Sequence, residues 1–499
     1  VATEIEDKFD VPAEFMLPDL ADVPGCAEVA GPKSYELVAV YFDTPDLRLA
    51  ARGVTLRRRR GGADPGWHLK LPKAKGVRSE ITHPLTRSAK IVPAELAGLV
   101  RAYTRGAELV PVARLETKRS VTHLLDGTGA VLLEIADDRV KGTVLGEQET
   151  AVRWREVEAE LVTGGRDLLK RVGRRLRKAG AAPARTGSKL ARLLDGRLPA
   201  PPGAAATRPG TAGAVVLGYL AAQVSALLAQ DPRVRRAEED AVHRMRVACR
   251  RLRSALTSFK KIITGTEHLR QELRWLGRAL SEARDLEVTR ARFAAHLDRL
   301  PAEMIVGPVR TRLGADLAAR ERAAYDGIRE VLDGERYAAL LDALDALLAD
   351  PPFTPLAAKR PDKPLRAAAD RCLRRLGRLY AAAQALDDPR AREAAMHDVR
   401  KAAKRARYTA EALAPALGAE FADLARQAEA IQEALGRYQD AVAAQAVLAE
   451  AAEAARRAGE DTFTYGVLAG LERAAAERDQ AEFPRVWREA ARGLAQIGV

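Results

Sequence analysis

The sequence predicts an α+β chain in two parts. A strand-rich barrel or sandwich runs to about residue 195, and an all-helical bundle begins near residue 213. Three observations predict this. Short runs rich in Val, Thr, Leu and Tyr alternate with Gly, Pro and Asp through the first part. From residue 213 onward Ala, Leu and Arg recur at helical spacing, and nothing reads as a strand. Between them, residues 196–212 are rich in Pro, Gly and Ala, the composition of a linker.

The elements follow in order. The first strand is Glu4-Ile5-Glu6-Asp7-Lys8-Phe9, and further strands are expected at 36–43, 54–60, 68–71, 78–84, 112–124, 130–137 and 152–161. Helices are expected at 93–103 and 166–179. In the second part, Gly265, Pro301, Pro351-Pro352, Pro389 and Pro415 read as breaks between helices.

Composition narrows the chemistry. The 499 residues carry 82 Lys+Arg against 68 Asp+Glu, a net charge of +14. Residues 1–200 hold 34 basic and 27 acidic residues, so each part carries +7 and the excess is not a basic tail. Anionic partners are expected for both parts. Three cysteines, Cys26, Cys249 and Cys372, exclude a disulfide scaffold and lack metal-ligand spacing, so a reducing cytoplasm is expected. The first residues are charged and show no signal-peptide pattern. The uncharged stretch 209–230 places Leu217, Leu220, Val224 and Leu228 in one stripe, which predicts a buried core helix rather than a membrane span.

Alternation carries the chemistry of the first part. Glu4, Glu6 and Lys8 share one strand face, opposite Ile5 and Phe9. Glu156, Glu158 and Glu160 alternate with Val157, Ala159 and Leu161. Arg57 pairs with Arg59, His68 with Lys70 and Arg78 with Glu80 in the same way. A single such strand is ordinary on a solvated sheet face. Five of them favour a barrel with its polar side inward. Close carboxylates call for a hard divalent cation, Mg²⁺ or Mn²⁺. Clustered Arg and Lys call for phosphate oxygens. Together they describe a metal-bridged polyphosphate and phosphoryl transfer to water.

These residues resemble the CYTH superfamily of triphosphate tunnel metalloenzymes. Glu4-x-Glu6-x-Lys8 matches its signature, and Tyr41-Phe42-Asp43-Thr44-Pro45, Leu56-Arg57-Arg58-Arg59, Leu69-Lys70, Glu156-Val157-Glu158 and Ser188-Lys189 follow in the family's order. The resemblance covers about 2–195 and implies an eight-stranded antiparallel tunnel barrel that hydrolyses triphosphates with a divalent metal. It implies Glu4, Glu6, Glu156 and Glu158 as metal and water-positioning carboxylates. Lys8, Arg57, Arg59, Lys70, Arg78 and Lys189 become phosphate binders. Glu80 and Asp138 match further acidic positions. Relatives place basic residues two apart near 114–119, but Glu116 interrupts the series here. The candidates there are Arg114, Lys118 and Arg119, with Lys118 taken as the binder.

The second part contains an internal repeat. His243, Arg246, Arg250, Arg251 and Arg253 recur as His397, Arg400, Lys404, Arg405 and Arg407, each at an offset of 154. Leu276-Gly277-Arg278 before Asp285 returns as Leu435-Gly436-Arg437 before Asp440. The pattern predicts two similar helical units about a pseudo-twofold axis. At about 100° per residue, His243, Arg246, Arg250 and Arg253 share one helix face, as do His397, Arg400, Lys404 and Arg407. A solvated face is the bland explanation of one such helix. Two copies, each headed by His and with no acid among the four residues of the shared face, call for an external anion.

These helices resemble the CHAD domain, whose helical bundles bind inorganic polyphosphate in a basic groove; the resemblance covers about 213–497. The expected organisation is therefore a CYTH barrel at 1–195, a linker at 196–212 and a CHAD domain at 213–497. The expected function is metal-dependent triphosphate hydrolysis coupled to polyphosphate binding, in the cytoplasm and with polyphosphate granules. A non-enzymatic polyphosphate binder and an RNA-backbone binder are the alternatives. Nucleic acid is disfavoured, because Tyr408 is the lone aromatic within either basic motif.

Overall fold

The computed structural model describes residues 2–74, 77–146, 149–200 and 207–496. The chain divides into two compact units, Val1–Pro201 and Pro202–Val499. Part of the expected linker, 201–206, lies outside the described residues.

The first unit is built on eight long strands: β1 (Ala2–Val11), β2 (Glu28–Asp43), β3 (Thr55–Arg60), β4 (Gly66–Ala74), β5 (Val77–His83), β6 (Val110–Leu125), β7 (Val131–Val144) and β8 (Thr150–Leu161). They are antiparallel neighbours in the order β5-β4-β3-β2-β6-β7-β8-β1. Pairing of β1 with β5 closes the sheet into a barrel, which removes its free edges. A two-residue strand at Ala182–Pro183 adds to β1.

Two apolar clusters hold the barrel. Outside, Phe9, Ile135, Val157 and Ala159 are buried against Leu168, Leu169, Val172 and Leu176. Those leucines come from a helix at Arg166–Lys178, whose 3.6-residue spacing gives it one apolar stripe. Each fully buried Leu or Val there contributes about 1.5–3 kcal/mol. Inside, one end is filled by Ala39, Leu115 and Val140 together with Leu190 and Leu193. The last two belong to a short helix at Lys189–Leu193, capped by Ser188 Oγ accepting from the Ala191 amide. A Cβ at Gly142 would meet Leu193 and Trp154 at 2.9 Å each, so this pinch requires glycine. The remaining interior is left to the charged residues.

The second unit is helical: α1 (Ala212–Arg235), α2 (Ala241–Ser258), α3 (Glu267–Ala279), α4 (Ser281–Arg299), α5 (Val309–Asp333), α6 (Glu335–Ala349), α7 (Asp362–Gln384), α8 (Pro389–Leu417), α9 (Ala419–Arg457) and α10 (Phe463–Gln496). One core joins α7, α8, α9 and α10, and another joins α4, α5, α9 and α10. The two basic helices α2 and α8 pack directly on one another. Gly265, Pro301, Pro351 and Pro389 fall at helix ends, but Pro415 lies inside α8. The helix continues only to Leu417 and stops at Gly418, so the break comes three residues later than its proline.

Among the described residues, α1 alone is long and apolar enough to cross a membrane by length and composition. Its stripe Val216, Leu217, Leu220, Val224, Leu227 and Leu228 is buried within the unit, and α1 packs on α2, α5, α6, α7 and α8.

Candidate functional site

Strand register decides which charges meet. Lys8 lies opposite Glu158 and Glu6 opposite Glu160 across β1 and β8. Lys70 faces Glu80, Arg57 faces Tyr41 and His68, and Arg119 faces Asp138. Directly opposed residues share a sheet face, so these side chains converge inside the barrel. There they line a cavity of 350 Å³ that includes Glu4, Glu6, Lys8, Arg57, Arg59, Lys70, Arg78, Glu80, Arg119, Glu158, Glu160 and Lys189.

The charges are paired in two groups. Near the β4–β5 wall, Lys70 Nζ donates to Glu4 at 2.6 and 2.7 Å. It lies 3.6 Å from Glu80, which also bonds the buried His68 at 2.8 Å. Deeper in, Lys189 Nζ lies 2.9 Å from Asp138, 2.8 Å from Glu156 and 2.7 Å from Glu158. Arg119 bonds Asp138 at 2.7 Å and Glu158 at 2.9 Å, and Lys8 pairs with Glu158 and with Glu6.

This crowding moves the ionisations. Burial opposes the Lys189 charge, but Glu158, Asp138 and Glu156 outweigh it and hold the ammonium well above its usual range. Burial likewise works against the Glu158 carboxylate, yet Lys189, Lys8 and Arg119 hold its pKa well below the usual value. Glu160 behaves oppositely. Burial first, then repulsion from Glu4, Glu6 and Glu158, pushes its carboxyl up to about 7, with Lys70 as the opposing charge.

The expected four glutamates are not one cluster. Glu4 and Glu6 line the cavity on β1, while Glu156 sits beneath it beside Asp138. Among the described residues, one group of three carboxylates has oxygens all within 4.8 Å of one another: Asp138, Glu156 and Glu158. Glu156 Oε1 is buried and in ionic contact with Lys189, but it receives no directed hydrogen bond. Three carboxylates with an oxygen left without a donor suit a hard divalent cation.

One expected residue is corrected. Lys118 is exposed on the outer barrel face, where its ammonium lies 3.7 Å from Glu36. Alternation along β6 sends Arg119 inward instead, and Arg114 is also outside. Glu160, not among the expected site residues, also lines the cavity.

In the helical unit, Arg246, Arg250 and Arg253 of α2 and Lys404 of α8 line one groove of 630 Å³, with Lys401, Arg405, Arg270, Arg274 and Arg278. Arg246 also bonds Asp285 at 3.2 Å. Arg400 donates to Gln439 at 2.6 Å, and His397 shares that acceptor at 3.1 Å. A Cβ at Gly436 would meet the Arg400 guanidinium at 2.8 Å, whereas one at Gly277, its counterpart in the repeated Leu-Gly-Arg, would meet nothing within 4 Å. His243 is half-buried beside Arg284, and burial with that charge lowers its pKa. Neither histidine is among the groove-lining residues.

Arg407 is the second correction. It is not among the groove-lining residues but is paired with Glu411 and Glu429, each at 2.7 Å. Glu411 also takes Arg251 at 2.7 Å, and both guanidiniums flank the Tyr408 ring at 5.6 and 5.7 Å. The repeat therefore diverges: Arg246 and Arg253 line the groove, and their expected counterparts Arg400 and Arg407 are not among its lining residues.

The site and fold define a class: a charged β-tunnel unit followed by a helical unit with a cationic groove. The CYTH domain family matches residues 2–194 and the CHAD domain family residues 218–449. An uncharacterized protein of Mycobacterium tuberculosis (strain CDC 1551 / Oshkosh) is 39% identical over 496 residues, covering 95% of this chain and 94% of that protein. The chain thus belongs to the family of proteins with a CYTH domain followed by a CHAD domain. Among solved structures it is similar to PptA from Streptomyces chartreusis (26% identity, 56% of this chain and 99% of that one, TM-score 0.47). It is also similar to the CHAD domain from the plant Ricinus communis (24% identity, 59% and 96%, TM-score 0.47).

Proposed function

We propose that the barrel hydrolyses inorganic triphosphate, or another triphosphate, with Mg²⁺ or Mn²⁺, and that the helical unit binds inorganic polyphosphate. The observation that carries the reading is the facing of carboxylates and cations across one 350 Å³ tunnel cavity. Asp138, Glu156 and Glu158 would hold the ion. A divalent cation supplies charge neutralisation for phosphate oxygens and acidifies a bound water. Lys8, Lys70, Arg57, Arg59 and Arg119 bind and orient the phosphate oxygens through charge-assisted hydrogen bonds. Glu160, poised at about 7, accepts a proton on its carboxylate near neutral pH. The groove of α2, α3 and α8 binds a linear polyanion without reading bases. A cytoplasmic protein associated with polyphosphate granules is the setting this reading implies.

A second reading has its own observation. Lys189 already neutralises the three deep carboxylates, as a tunnel that only recognises anions would require. Phosphate release from a panel of tripolyphosphate and nucleoside triphosphates, with and without EDTA, separates the two. EDTA-sensitive release supports the enzyme. Binding without release supports pure recognition.

A further inference from the structure

The cationic surface of the helical unit does not end at the groove. A separate cavity of 650 Å³ is lined by Arg371, Arg374, Arg375 and Arg378 of α7, with Lys260 at the foot of α2. On α7 these four arginines stand at positions 0, +3, +4 and +7, one face of a helix. Arg371 with Arg375, and Arg374 with Arg378, are like-charge pairs four residues apart, which destabilise a helix on their own. Among the described residues no carboxylate lies within 4.0 Å of any of them. Thr257 and Arg405 line this cavity and the groove alike. Burial and the charges of Arg375 on one side and Arg270 on the other weaken the proton hold of Arg405, which stands between the two clusters. The extension is one-sided. Arg251, the repeat counterpart of Arg405, is tied to Glu411 and stacked on Tyr408.

We infer that the α7 arginines form a second anion-binding pocket, joined to the groove through Arg405, that takes the continuing segment of a linear phosphate chain. The inference rests on the groove itself binding polyphosphate. A chain short enough to fit the groove occupies it alone. A longer chain passes Arg405 and exchanges its counterions for Arg374, Arg375 and Arg378. Their unpaired charges are then offset by the ligand, which accounts for four cations kept on one face with no carboxylate in ion-pair contact.

The test uses the full chain and inorganic polyphosphate of increasing length. Arg375→Gln with Arg378→Gln should leave short-chain affinity unchanged and reduce long-chain affinity about tenfold. Its salt dependence should fall by a log–log slope of about 1.4, by analogy with two lost contacts on a single strand. Arg250→Ala with Lys404→Ala should weaken both lengths. Long-chain affinity and slope unchanged in the α7 variant, with both lost in the groove variant, would overturn the second pocket while leaving the groove standing. Short-chain binding indifferent to the groove variant would overturn the groove and this inference with it. Both α7 positions are exposed on the helix surface, and unchanged circular dichroism confirms that the variant is folded.

Discussion

The Lys189 ammonium lies 2.7 Å from the Glu158 carboxylate, at the point where the helix 189–193 enters the barrel. The same Nζ reaches Asp138 and Glu156, so one lysine occupies the charge centre of the carboxylates best placed for a metal. A divalent ion bound there would compete with Lys189 for the same oxygens.

That competition is measurable as stability. Lys189→Ala leaves buried carboxylates without their main counter-charge, a loss of about 3–5 kcal/mol. In a unit of this size the melting temperature should fall on the order of 10 °C. Adding Mg²⁺ or Mn²⁺ should raise the Tm of the variant more than that of the parent, because the one cation that contacts all three carboxylates is then gone. Thermal melts with and without metal check this; equal metal responses would argue against Asp138, Glu156 and Glu158 as the ion's ligands.

The broken repeat makes an asymmetric prediction. Arg253→Ala should weaken polyphosphate binding and lower its log–log salt slope by about 0.7. Arg407→Ala should leave affinity unchanged and cost about 1 kcal/mol of stability, since it frees Glu411 and Glu429 rather than a groove position. Equal losses of affinity in the two variants would restore the symmetric picture.

Lys404 predicts a pH dependence. Burial, then the Arg400 and Arg250 charges, lower its pKa to about 7 from the ordinary 10.5. Between these values the folded chain binds fewer protons than the unfolded one, so this group's penalty is greatest below about pH 7 and is relieved as pH rises toward 10.5. A polyanion favours the charged ammonium. Polyphosphate binding should therefore take up protons at pH 8 and weaken as pH rises above about 7. Calorimetry at pH 8 in two buffers of different ionisation enthalpy reads the uptake, and Lys404→Arg should abolish it.

Much of the site was legible because alternation is short-range. Glu4, Glu6 and Lys8 had to share a face whatever the topology, and so did Arg57 and Arg59. Glu160 obeyed the same rule and belongs with Glu158 inside the tunnel. Lys118 could not be resolved that way. Both faces of β6 carry charge, with Glu116 and Lys141 pairing outside at 3.5 Å while Arg119 meets Asp138 inside. Only the register with β7 separates them. The departure of Arg407 did have a sequence signal. Glu411 stands four residues on, an i,i+4 partner, where Arg253 has Thr257. Glu429 comes from α9 and had no local signal. The α7 cavity was illegible for the same reason, since α2 and α8 complete it from distant segments.

On the proposed function, the tunnel's carboxylates support metal-dependent hydrolysis. The most direct test is phosphate release from tripolyphosphate with Mg²⁺, comparing the parent chain with Glu158→Gln at matched folding by circular dichroism. EDTA-sensitive release by the parent is expected, with a loss of about 100-fold or more in the variant, equivalent to roughly 2.7 kcal/mol of transition-state stabilisation. Release that persists in EDTA, or a folded Glu158→Gln protein with undiminished turnover, would contradict it.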